Sequence, residues 1–143
     1  MLNAVFNLTP KRMFLIDGIG ALLTASLLAL ILPHFQEQIG IPTDTLILMG
    51  AAGALYSIYS LSCFYFLRQD YAIWLKIIIL ANLLYCVASA GIVTVYVEQI
   101  TLLGFVYFAL EVCVILAVVA LELFVLKSHL FAREALNANQ RSK

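Results

Sequence analysis

The stretch Phe105-Val-Tyr-Phe-Ala-Leu-Glu-Val-Cys-Val-Ile-Leu-Ala-Val-Val-Ala-Leu-Glu-Leu-Phe-Val-Leu126 decides the fold. It is longer than the roughly 20 apolar residues a helix needs to cross the hydrocarbon core of a bilayer. Only Glu111 and Glu122 interrupt it. A carboxylate near the middle of such a run costs roughly 3 kcal/mol on insertion scales, so it requires a partner, a proton or a function. Glu111 is therefore expected to face protein rather than lipid, to be neutral, and to donate a hydrogen bond.

Three more apolar runs precede this one, and the four spans are read as 13–33, 45–67, 71–97 and 101–126, followed by a cytoplasmic tail, 127–143. The connections, His34–Asp44, Arg68–Asp70 and Glu98–Ile100, are too short for a soluble domain. They force neighbouring spans to be antiparallel. The fold class that follows is all-α: a single transmembrane domain, 1–143, folded as an up-down four-helix bundle. Composition agrees. Mean hydropathy is +1.05, and 11% of residues are charged, against about a quarter in an ordinary soluble domain. Formal net charge is zero, which gives no basic field for nucleic acid. The first run carries a Lys11-Arg12 flank, but Asp17 breaks it and no small-x-small site follows, so it reads as a retained helix and not a leader.

The eight Lys and Arg residues sort to one side. Lys11 and Arg12 precede the first span, Arg68 and Lys76 flank the second turn, and Lys127, Arg133, Arg141 and Lys143 follow the fourth. The other two connections hold none. The positive-inside rule then places both termini in the cytoplasm. Thr9-Pro10 reads as a cap with proline at the first helical position, and Pro42-Thr43-Asp44 as the capped start of the second span.

Polar residues share helix faces. Glu111 and Glu122 are eleven apart, about three turns. Asn82, Tyr85, Cys86 and Ser89 follow i, i+3, i+4, i+7, as do Tyr56, Tyr59, Ser60 and Cys63. Counting about 1.5 Å per residue from the cytoplasmic ends gives two layers. The shallower holds Asp17, Lys76 and Glu122, expected as a cytoplasmic-side charge cluster. The deeper holds Glu111 with Asn82, Tyr85 and Tyr56, expected as an intramembrane polar site. Rows of small residues, Gly18, Ala21, Ala25 and Ala29 in the first span and Gly50, Gly53, Ala54 and Ser57 in the second, suit close backbone approach.

Catalytic and cofactor classes find little support. The three cysteines, Cys63, Cys86 and Cys113, lie inside spans and form no C-x-x-C. Of two histidines, His34 is in an outer loop and His129 in the tail, so neither suits a haem inside the bundle. No zinc-ligand spacing and no nucleophile–base pair is present. Asn7-Leu8-Thr9 is a formal glycosylation sequon, discounted because Pro10 follows on the cytoplasmic side. The expectation is no enzyme, no cofactor and no metal.

The segments Phe14-Leu-Ile-Asp-Gly-Ile-Gly-Ala21, Leu32-Pro33, Gly40-Ile-Pro42 and Ala81-Asn-Leu-Leu-Tyr-Cys86, with the paired glutamates of the fourth span, resemble a group of small four-span bacterial inner-membrane proteins. The resemblance covers most of the chain. It implies the topology and a bacterial inner membrane, and no chemistry. Two functional expectations follow from the residues. One is a non-enzymatic membrane protein whose buried polar residues serve helix assembly or contact with a partner, a second copy or another membrane protein. The other is a small proton-coupled transporter or ligand-binding subunit using Glu111 and Asp17 as protonatable sites.

Overall fold

The computed structural model describes residues 9–68 and 71–141, with side chains as far as Phe131. Asp70 of the second turn, Asn7 and Leu8 of the sequon, and the side chains of Arg133, Leu136, Arg141 and Lys143 lie outside the described residues. Four helices are long and apolar enough to cross a membrane: Pro10–Ile39, Thr43–Phe66, Tyr71–Val95 and Leu102–Phe131. The last continues without a break to Arg141, so the tail extends the fourth span. Among the described residues there is no strand.

The first span starts where the sequence places it. Thr9 is extended, Pro10 takes the first turn, and the Thr9 carbonyl accepts from the Arg12 and Met13 amides. The helix is regular to Ser26, widens to a π-turn over Leu27–Ile31 and tightens to a 3-10 turn over Leu32–Phe35. Pro33 explains the change. It has no N–H for the carbonyl of Ala29, and its ring crowds that carbonyl. The Leu32 amide bonds Leu27, five residues back. A short turn, Gln36–Ile39, ends at Gly40 with φ of +78°. The second span opens at Thr43 without the expected side-chain cap, because Pro42 occupies the cap position, and the Thr43 hydroxyl donates to Gln36 Oε1 at 2.6 Å.

The first two spans form the tightest pair. A Cβ on Gly50 would come within 2.7 Å of the Ala29 Cβ and 3.0 Å of the Ala25 carbonyl oxygen. Ser57 donates to the Gly18 carbonyl at 2.7 Å. The expected rows of small residues therefore do meet, and backbone approaches backbone. At the end of the bundle away from the termini, the first and third connections dock. The Thr101 amide bonds the Ile39 carbonyl at 3.1 Å, its hydroxyl bonds Gln38, and Thr45 meets Tyr96 at 3.1 Å. Gly40 and Gly104 are needed there, since a side chain on either would run into the facing backbone.

Two apolar clusters fill the bundle ends. One gathers Met13, Phe14, Cys63, Leu75, Ile78 and Val119, the other Leu28, Ile41, Leu46, Met49 and Phe108. Large apolar side chains such as Leu30, Leu48, Leu55, Val87 and Leu110 point outward. That distribution suits a lipid solvent, in which outward apolar surface carries no penalty.

Candidate functional site

Each span buries one face, and each buried face carries polar atoms. Asp17, Ser60, Asn82 and Glu122 come from the first, second, third and fourth spans respectively, and all are buried. They form one hydrogen-bonded chain. Ser60 Oγ donates to Asp17 Oδ2 at 2.5 Å, and Asn82 Nδ2 donates to Asp17 Oδ1 at 2.9 Å and to Glu122 Oε2 at 3.4 Å. The chain runs Ser60–Asp17–Asn82–Glu122 and touches every helix of the bundle. Glu122 Oε1 is buried and has no hydrogen-bond partner among the described residues, as has the Tyr59 hydroxyl.

Glu111 forms a second, separate site. It is buried, and Tyr85 and Ser89 donate to its two oxygens, each at 3.4 Å. Those contacts are long for O–H···O bonds, whose usual range is about 2.5–3.0 Å. All three groups belong to the hairpin of the third and fourth spans.

Two expectations from sequence need correction. Asn82 hydrogen-bonds Asp17 and Glu122 and not Glu111, its expected neighbour in the deeper layer. The count for the fourth span began at Leu126, but Tyr71 at the start of the third span lies against His129, with ring centroids 6.4 Å apart. Measured from there at about 1.5 Å per residue, Glu122 lies about 10 Å deep, Asn82 about 16 Å and Glu111 about 27 Å, so Asn82 is nearer in depth to Glu122 than to Glu111. The second correction is Lys76, expected within ion-pair reach of Asp17 or Glu122. It is exposed, and no ion pair joins it to either acid among the described residues. The buried face of the third span follows Leu75, Ile78, Ile79, Asn82, Cys86 and Ser89. Lys76 lies about 100° round from Leu75 and so leaves that face.

Tyr56 also departs from Glu111. Its hydroxyl donates to the Ile78 carbonyl at 2.5 Å, and its side chain lines a cavity of about 70 Å³ together with Asp17, Asn82 and Tyr85. Ser60 and Ser89 are the participants not singled out from sequence. The signal was there, because both lie on the polar stripes of their helices. Among the described residues, no three His, Cys, Asp or Glu side chains are grouped as a metal ion would require. Cys63 and Cys86 are buried, Cys113 faces outward, and all three are free thiols.

Fold and site together define a small polytopic membrane protein, an all-α four-span bundle with a buried acid–amide–hydroxyl layer shared by all four helices. Compared with models of known protein families, with curated protein sequences and with solved structures, the chain finds no match.

Proposed function

We propose that this chain is a non-enzymatic, multi-pass protein of a bacterial inner membrane, with both termini in the cytoplasm. Its buried polar layer serves the assembly of its helices and, through them, contact with a second copy or another membrane protein. The observation that carries this reading is the Ser60–Asp17–Asn82–Glu122 chain, to which each span gives one buried group. Lipid tails are as apolar as leucine, so helices in a bilayer gain little from the hydrophobic effect. Interhelical hydrogen bonds and close backbone packing then decide which helices associate. The one-sided distribution of Lys and Arg supports cytoplasmic termini. The resemblance to four-span bacterial proteins supports the membrane.

Two experiments test it. A C-terminal reporter active only in the periplasm should stay silent. A variant with the layer made apolar (Asp17→Leu, Ser60→Ala, Asn82→Leu, Glu122→Met) should insert but lose the cooperative melt of the parent in detergent. A melt as sharp and as high as the parent's would sink the assembly reading.

A second reading, a small ligand-binding or proton-coupled subunit, is favoured by one observation: a cavity touches Asp17. On that reading Asp17→Asn folds and melts like the parent yet abolishes proton-driven flux in proteoliposomes.

A further inference from the structure

The cavity beside Asp17 holds about 70 Å³ of space. A single water needs about 10–15 Å³ of such space, so roughly five waters, or a ligand of about five non-hydrogen atoms, would fill it. Its polar wall is Asp17, Asn82 and Thr24, and its aromatic wall is Tyr56 and Tyr85. The remainder is apolar or bare backbone.

The donors of that wall are mostly committed. Asn82 Nδ2 serves Asp17 and Glu122, the Tyr56 hydroxyl serves Ile78, and the Tyr85 hydroxyl serves Glu111. What remains for an occupant is carboxyl oxygen, aromatic ring and the single hydroxyl of Thr24. Behind Asn82 stands a second acid, Glu122, fully buried, with Oε1 unpartnered. With one hydroxyl as its free donor and two acids in or behind it, such a wall suits neither anions nor molecules that need several hydrogen-bond donors. It suits a cation that asks for no strong hydrogen bonds, held by a carboxylate and by ring faces.

The way in is also defined. Ile16, Gly20 and Thr24 lie one turn apart on the first span and share the cavity rim with Val114 and Val118 of the fourth. Gly20 is exposed, and a Cβ built on it would meet nothing within 4 Å. The opening therefore lies between the first and fourth spans, on the lipid-facing side, where a weakly hydrated cation enters more readily than a metal ion.

From these observations we infer that the cavity is a binding site for a small organic ammonium ion, entering past Gly20 and paired with Asp17. Tetramethylammonium, with five non-hydrogen atoms, matches the space, and tert-butanol is a neutral molecule of like size.

The test is calorimetric titration of the full chain in nanodiscs of zwitterionic lipid, with each of these two probes. Tetramethylammonium is expected to bind saturably and tert-butanol at least tenfold more weakly, through the loss of the attraction to the carboxylate and to the ring faces. Two variants then separate charge from access. Asp17→Asn removes the charge and should lower tetramethylammonium affinity about tenfold or more, through lost Coulombic attraction. Gly20→Phe leaves the acid untouched, has room for its Cβ, and should block entry. Binding that survives Asp17→Asn, binding that survives Gly20→Phe, equal affinity for tert-butanol, or no saturable binding to the parent would each overturn the assignment. Should Asp17→Asn fail to fold, Gly20→Phe and the neutral probe still decide.

Discussion

Replacing Asn82 should reveal a coupling that single substitutions hide. In Asn82→Leu, Asp17 loses its 2.9 Å bond but keeps Ser60, whereas Glu122 loses the only donor it has among the described residues. The first loss is about 1 kcal/mol, in the range measured between membrane helices. Stranding Glu122 adds about 1–2 kcal/mol, the cost of a buried polar group without a partner. Leucine brings no compensating burial, because the unfolded reference is already in lipid. The single variant should therefore lose about 2–3 kcal/mol. Glu122→Met alone removes a weak 3.4 Å contact and leaves Asn82 bonded to Asp17, so its loss should stay below about 1 kcal/mol. In the double variant nothing is stranded at Glu122, and only the Asp17 bond is gone, a loss of about 1 kcal/mol. The double variant should thus be more stable than Asn82→Leu alone, with a coupling of about 1–3 kcal/mol. Reversible unfolding in mixed micelles with increasing SDS, followed by far-UV circular dichroism, measures all four corners of the cycle. If the two single losses add to within about 0.5 kcal/mol, Asn82 does not bridge the two acids and the four-helix layer is wrong.

Other expectations follow from single positions. Gly50→Ala puts a methyl 2.7 Å from Ala29 and should lower stability by about 1–3 kcal/mol, as overpacking does, while Gly91→Ala meets nothing within 4 Å and should leave the melting temperature unchanged or raised. Gly40→Ala asks alanine for a φ of +78° and should lose about 1–2 kcal/mol from conformation alone, before the clash with Gln99, read as a lower melting temperature and easier proteolysis of the outer loop. Glu111→Gln should melt like the parent, and Glu111→Ala should lose about 1 kcal/mol, since both of its contacts are long. Equal stability of all three would remove Glu111 as a helix contact.

The spans and the buried faces were legible because lipid imposes one rule on every residue: apolar outward, polar inward. That rule needs only periodicity, and so Asp17, Ser60, Asn82, Glu111 and Glu122 could all be assigned to inner faces. Which of them meet is a question of register between helices, and register depends on where each helix starts and how far it overlaps its neighbour. The fourth helix runs on past Leu126 with no sequence signal to stop it, so its zero point was misjudged by about a turn. Asn82 was accordingly matched to the wrong glutamate. Lys76 failed for a different reason. Depth brought it level with acids, but its angular position on the helix turns it outward. The π-turn before Pro33 was likewise invisible, because proline announces a disturbance without saying whether the helix kinks, ends or widens.

The contacts of the buried acids divide between the two hairpins in a way that bears on how the chain enters the membrane. Asp17 finds Ser60, and Ser57 finds Gly18, within the first hairpin. Glu122 finds Asn82, and Glu111 finds Tyr85 and Ser89, within the second. Only the Asn82–Asp17 bond crosses among these acids. Each acid thus has a local chaperone encoded in the same hairpin. A hairpin leaving the translocation channel need not show lipid a bare carboxyl while it waits for the rest of the chain. Biogenesis can proceed two helices at a time, and the bonds that cross, Asn82 to Asp17, Tyr56 to Ile78 and those between the loops, are left to align two units that are already inserted.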